Sequence, residues 1–171
     1  WKHGTKEQKR TYLPRLCSGE LIAVNGLTEQ ESGSDAFSMK TTASPENDGY
    51  RIDGTKTFGT NGPIADIALI YARTDGDKGF HGGITAFIVE SNAPGFSCGQ
   101  RYEKMGLRTS PIGELVCDGV FVPADRVLGE VGAGAAIFTE SMNWERTCLV
   151  AGHVGLMEQL LDRAVDHARN R

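Results

Sequence analysis

The densest set of groups able to contact a ligand is Leu27-Thr28-Glu29-Gln30-Glu31-Ser32-Gly33-Ser34-Asp35. An apolar run, Leu21-Ile22-Ala23-Val24, leads into it, so a strand is expected to end in a turn of small, polar and acidic residues. Thr28, at the strand end, carries a hydroxyl that can bond the polar edge of a heterocycle. Gly33 lets backbone and ligand approach closely, and Ser34 sets a hydroxyl beside exposed amides, which together can cradle a phosphate. The same composition also makes ordinary surface turns, and this loop alone does not choose between the two. Elsewhere no serine–histidine–acid set or nucleophilic cysteine motif stands out. His3, His81, His153 and His167 show no metal-ligand spacing, so no metal is expected. Chemistry by this chain therefore calls for a bound organic cofactor.

The elements that must position this loop read as follows. Residues 2–20 form a helical segment that Pro14 kinks or ends and Gly19 closes. Short strands are expected at Ile22–Leu27, Phe37–Ala43, Tyr50–Asp53, Thr55–Phe58, Ile67–Ala72, Ile84–Glu90 and Leu115–Val122. Turn clusters at Pro45-Glu46-Asn47-Asp48-Gly49 and Asp75-Gly76-Asp77-Lys78-Gly79 separate them. Such a series predicts an α+β protein built on an antiparallel β-barrel or sandwich flanked by helical segments. There is no βαβ alternation, and Ile137 stands where a third glycine after Gly132 and Gly134 would complete a dinucleotide fingerprint, so the pattern disfavours a Rossmann fold. After Gly134 the period changes: Val150, Val154, Met157, Leu161, Ala164 and Ala168 form one helical stripe, widened by Leu149, Leu156 and Leu160. So broad an apolar face is core, and it is expected to pack against partner helices that these 171 residues do not contain.

The totals set the class. The 171 residues, 39% hydrophobic and 23% charged, describe an ordinary globular chain. A net charge of −4 with no basic block argues against nucleic acid as a partner. No apolar run approaches a membrane span and none resembles a signal peptide. Cys17, Cys98, Cys117 and Cys148 are scattered without paired spacing and are expected as reduced thiols in a reducing compartment. The chain opens on Trp1 and closes on His167-Ala168-Arg169-Asn170-Arg171 without a helix stop signal, and is expected to be a piece of a longer protein.

After the 27–35 loop come Gly54-Thr55-Lys56-Thr57-Phe58-Gly59-Thr60-Asn61-Gly62, Gly95-Phe96, Lys104-Met105-Gly106-Leu107-Arg108, Val122-Pro123 and Leu128-Gly129. This ordered series resembles the acyl-CoA dehydrogenase family of flavoproteins over essentially the whole chain. The resemblance implies three parts: residues 1–20 as the end of an amino-terminal helical domain, 21–130 as the middle β-domain, and 131–171 as the start of a carboxy-terminal helical domain. It names FAD as the cofactor. Asn25 to Ser34 resembles the first flavin-binding stretch, with Leu27 and Thr28 addressing the pyrimidine side and Gly33 and Ser34 the pyrophosphate. Ser34 would also touch the acyl thioester. Phe58-Gly59-Thr60 resembles a second flavin stretch that usually reads Trp-Ile-Thr. Phe58 would cover one face of the ring system and Thr60 would bond near the hydride-accepting nitrogen. Read without the family, Phe58 is a strand-end core aromatic. Gln30 and Gly59 depart from the family's usual proline and isoleucine.

Asn143-Trp144-Glu145-Arg146 matches the helix that faces acyl chain and thioester in the family. Arg146 resembles a frequently retained arginine, whose plainer role is an ion pair. In the isovaleryl and long-chain types a glutamate directly before this arginine is the catalytic base, which makes Glu145 the candidate. Other members carry the base in a carboxy-terminal part, and there such a glutamate is a surface or ion-pair residue. The implied reaction removes an α-proton from an acyl-CoA or carrier-bound thioester while the β-hydrogen leaves as hydride, and a carboxylate in a dry pocket suits the first task. Electron-transfer flavoprotein or another acceptor would take the electrons, in a homotetramer or dimer. Oxygen-using relatives (acyl-CoA oxidases and flavin monooxygenases) share the pattern, and a non-enzymatic β-sandwich binding module is the rival from another class.

Overall fold

The computed structural model describes residues 2–171. Its elements are α1 (Lys6–Cys17), β1 (Ala23–Gly26), β2 (Thr42–Glu46), β3 (Gly49–Thr60), β4 (Ile67–Arg73), β5 (Ile84–Glu90), β6 (Phe96–Tyr102), β7 (Ile112–Pro123), β8 (Val127–Leu128) and α2 (Gly134–Arg169). Two compact units divide the chain, one ending at Ile137 and the other running from Phe138 to Arg171.

In the first unit α1 starts on a capping box, with Gln8 N–H donating to Thr5 Oγ1 (3.1 Å) and Thr5 N–H to Gln8 Oε1 (3.0 Å). The Gln8 amide also donates to the carbonyls of Asp125 (2.7 Å) and Val127 (2.9 Å), so one side chain caps the helix and docks it. Tyr12 adds a phenol bond to Glu90 (2.9 Å) beneath the Arg126 guanidinium. Pro14 lies inside α1 rather than ending it, and Ser18 N–H still closes the last turn on Pro14 O.

The strands form one eight-stranded sheet in the order β6-β7-β3-β2-β4-β5-β8, with β1 beside β4. Its path is open at both ends, so the sandwich describes it and the closed barrel does not. The sheet is also mixed: β1 and β2 both pair with β4 in parallel, while β3–β7, β4–β5, β2–β3 and β6–β7 are antiparallel. Its two halves share a core, with Ile52, Leu115, Val120 and Val122 from β3 and β7 clustered with Ala68, Ile70, Phe87 and Val89 from β4 and β5. Tyr50 meets Phe87 edge-on at 5.2 Å across this layer. Each such buried aliphatic or aromatic side chain contributes about 1.5–3 kcal/mol.

Several expectations change. No strand covers Phe37–Ala43; the chain extends only from Thr42, because 29–41 is held by side-chain bonds to Glu29 instead of a ladder. Pro45, Glu46 and Gly49 are strand residues and only Asn47-Asp48 turn. Tyr50–Asp53 and Thr55–Phe58 are one long strand, bent by register shifts opposite β7. Strand β6 was unforeseen, since its residues are mostly exposed and show no apolar alternation. In the 104–108 turn Leu107 takes a positive φ (48°). Pro123 is the last residue of β7, an interior strand between β6 and β3.

The second unit, Phe138–Arg171, is α2 from Phe138 to its end at Arg169 and the two residues that follow. Leu149, Val150, Val154, Leu156, Met157, Leu160 and Leu161 of the sequence stripe are exposed. Among the described residues no helix is long and apolar enough to cross a membrane. Cys17, Cys98, Cys117 and Cys148 are free thiols.

Candidate functional site

The loop after β1 is a tight hairpin. Glu29 N–H donates to Ser32 O (3.0 Å) and Ser32 N–H to Glu29 O (3.3 Å), while Ser32 Oγ donates to Asp35 O (2.7 Å). Leu27 is buried, Thr28 half-buried, and Asn25, Gln30, Glu31, Gly33, Ser34 and Asp35 are exposed. At Gly33 an added Cβ meets nothing within 4 Å and φ is not positive. Nothing in the chain itself therefore demands glycine there, and the backbone at this position is open to close approach. Thr28 O accepts from Thr57 N–H (2.8 Å), which ties the loop to β3.

Phe58 follows directly. Its register-shifted position between Lys56 and Gly59 gives it φ 57°, a left-handed conformation that a bulky residue adopts only under constraint. The twist puts the ring outside: Phe58 is 63% exposed and not a core aromatic. It stacks on Tyr102 at 5.1 Å with 30° between planes. Tyr102 is fixed in turn, its hydroxyl 2.6 Å from Thr57 Oγ1 and donating to Glu114 Oε1 (3.0 Å). Thr60, at the strand end, is exposed, whereas Gly59 is buried. A Cβ on Gly59 would come within 3.0 Å of Val24 Cγ2, so glycine here serves packing, and only its backbone remains for a ligand. Beside Tyr102 opens a cleft of about 660 Å³, lined by Arg101, Glu103, Lys104, Arg108 and Pro111.

Beneath the loop lies a group that the sequence reading did not single out. Lys56 is 1% exposed and its ammonium donates to Glu29 Oε1 (2.8 Å) and Leu27 O (3.2 Å). Glu29 Oε1 also accepts from Thr41 N–H (3.0 Å) and Thr41 Oγ1 (2.5 Å), and Oε2 from Lys40 N–H (2.6 Å). Burial acts to raise the Glu29 pKa, but its donors outweigh that and hold it below the ordinary value. Burial lowers Lys56 from the usual lysine value, with the Glu29 carboxylate opposing. The signal in the sequence was a lysine at an inward position of a strand, which needs a buried partner.

In the second unit Asn143, Trp144, Glu145 and Arg146 are successive exposed residues on α2, with Trp144 65% exposed. Successive helical residues point about 100° apart, so these four do not form one face. Thr147 Oγ1 donates to the backbone carbonyl of Asn143 one turn back (2.8 Å). Loop, bulge and platform are thus brought together in the first unit, while the remaining candidates belong to the second.

Sequence comparison agrees with this division of features. The model of the acyl-CoA dehydrogenase middle domain matches residues 25–120, and that of the acyl-CoA dehydrogenase C-terminal domain matches residues 132–171. The chain is 45% identical over 170 residues to the mitochondrial isovaleryl-CoA dehydrogenase of Oryza sativa subsp. japonica, covering 99% of this chain and 41% of that protein. It is also 45% identical to the L-prolyl-[peptidyl-carrier protein] dehydrogenase of Pseudomonas fluorescens, covering 98% of this chain and 44% of that protein. Among solved structures, the prolyl acyl carrier protein oxidase AnaB superposes with a TM-score of 0.94 at 44% identity, covering 99% of this chain and 45% of that one. The chain thus spans under half the length of these relatives. With a matching middle-domain model, close relatives over its full length and a shared fold, this chain belongs to the acyl-CoA dehydrogenase family.

Proposed function

We propose that the full-length protein is an FAD-dependent oxidoreductase that dehydrogenates an acyl thioester between its α and β carbons. The observation that carries this is the exposed, conformationally constrained Phe58 beside Thr28 and the open Gly33. An aromatic face, an unencumbered backbone and adjacent hydroxyls fit an isoalloxazine and its pyrophosphate, so the residues present suit the group. Names of relatives, isovaleryl-CoA dehydrogenase and the prolyl-carrier dehydrogenase among them, support the reaction class.

In this reading Asn25 opens the flavin-binding stretch, Leu27 and Thr28 bind the pyrimidine edge, Gly33 and Ser34 the pyrophosphate, and Phe58, Gly59 and Thr60 the ring and its redox edge. FAD supplies, when bound, the acceptor for the β-hydride. Phe58 excludes water from one face, and Ser34, Asn143, Trp144 and Arg146 bind the acyl thioester. Glu145 takes the α-proton, leaving its carboxyl protonated until the product departs. Residues 21–130 act as the middle domain, 1–20 and 131–171 as parts of flanking helical domains. The acyl group is carried on CoA or a carrier protein, and the electrons pass to electron-transfer flavoprotein or another acceptor. The protein works as a homotetramer or dimer in the cytoplasm or mitochondrial matrix. A second reading, with oxygen as acceptor, is favoured by the likeness to the oxidase AnaB.

The test is anaerobic titration of the purified full-length protein with acyl-CoA and acyl-carrier thioesters. The visible flavin band is expected to bleach with one of them, and oxygen admitted afterwards separates the two acceptor readings by the rate of reoxidation. A colourless protein that takes up no FAD would end the proposal. Glu145→Gln should retain the flavin band and lose bleaching by roughly 100-fold or more in rate, the usual contribution of a general base.

A further inference from the structure

The ion pair beneath the loop is costly to bury and is not needed merely to fill space, because apolar side chains of similar volume hold such positions at least as well. What charge and hydrogen bonds add is direction. Glu29 collects donors from Lys40, Thr41 and Lys56 on its two oxygens, so the 40–41 stretch and β3 both converge on a carboxylate of the loop. Lys56 also donates to Leu27 O, while Thr57 N–H donates to Thr28 O. Because the peptide is planar and trans, pointing Leu27 O at Lys56 sends Thr28 N–H the opposite way. No described residue accepts from that N–H. Lys56 is also the last residue before the register shift that carries Phe58 outward.

We propose that the Lys56–Glu29 pair is a positioning device that fixes the 27–35 loop against the Phe58 bulge, so that Thr28 N–H and the Phe58 ring are presented together to the cofactor. This rests on the flavin reading of the preceding subsection. Neither residue touches the cofactor; both act through Leu27, Thr28 and Phe58. Lys56 and Glu29 are 1% and 8% exposed at the side chain, so solvent cannot substitute for either partner.

The test uses full-length protein carrying Lys56→Met, Glu29→Gln and both together. The double variant matters most, since it removes the charges as a pair and leaves no single charge buried. Flavin-stripped protein is followed by amide hydrogen exchange of the 27–35 and β4–β5 segments, and reconstituted protein by FAD affinity and by visible circular dichroism of the bound flavin. The double variant is expected to melt near the wild type and keep β4–β5 protection. Exchange in 27–35 quickens and FAD affinity falls, each by about tenfold or more, as supporting residues do at metal sites. The flavin dichroism of protein saturated with FAD changes shape as well. A double variant with wild-type loop exchange, affinity and dichroism overturns the proposal. So does equal loss of protection in the loop and in β4–β5, which would make the pair a global fold element. Wild-type protein that takes up no FAD, with loop exchange still quickened in the double variant, overturns the flavin reading and leaves the positioning of the loop standing.

Discussion

Phe58 holds a left-handed backbone that costs a bulky residue about 1–2 kcal/mol. Its ring is spent on Tyr102 and on the outside of the protein, not on the core. Phe58→Gly releases the strain and loses the ring, so two opposite effects are expected. Chemical denaturation of the cofactor-free protein should show stability within about 1 kcal/mol of wild type, glycine's looser unfolded state offsetting part of the relief. FAD titration should show affinity down by up to about tenfold, the size of one aromatic stacking contact. Gly59 next door behaves differently. Gly59→Ala pushes a methyl to 3.0 Å from Val24 Cγ2 and should cost about 1–3 kcal/mol as overpacking, measurable as a lowered denaturation midpoint. Adjacent residues thus face different ways, the Phe58 ring outward and Gly59 against the core.

Among elements, α1 stands out for docking by polar groups. Thr5→Ala removes half of the capping box and should cost about 1 kcal/mol. Gln8→Ala should cost more, about 1–3 kcal/mol, because it also strips a donor from the buried carbonyl of Val127. A urea titration of both variants decides the order, and equal losses would mean that the docking bonds contribute nothing. The Glu29 loop has a pH dependence of definite sign. Its folded-state pKa lies below the ordinary value of 4.5, so the stability it contributes is complete above that value and is lost as pH falls through the folded pKa. In denaturation series below pH 4.5, Glu29→Gln should therefore flatten the acid limb of the stability curve relative to wild type.

At the scale of the molecule, this chain covers 41% of its rice relative and 44% of its Pseudomonas relative. The site residues of the first unit and the candidate base on α2 belong to a longer protein's catalytic centre under the proposed reading. Residues 1–171 expressed alone should therefore bind FAD weakly and show no turnover with thioesters that bleach the full-length protein. Robust turnover by the 171 residues would contradict that division of labour.

Much of this architecture was readable from local pattern. The β5 limits coincide with the apolar run Ile84–Glu90, β4 and β7 overlap theirs closely, and the start of α2 at Gly134 follows the change of period. The ordered motif series from Leu27 to Gly129 identified the family, since those motifs are contiguous in the chain. Features defined by pairing partners and not by local period were not readable. Strand β6 is held by pairing to β7 and not by an apolar face, so period alone misses it. The parallel pairing of β1 with β4 joins segments about forty residues apart, as the Ala23–Ile67 register shows. Phe58 reads as a core aromatic until the register shift opposite β7 turns it outward. Lys56 and Glu29, 27 positions apart, show no sign of each other in the sequence until tertiary structure buries them together. Local periodicity and motif order come from neighbours in the chain, and the sequence determines them; burial, register and charge pairing come from neighbours in space, and only the folded structure decides those.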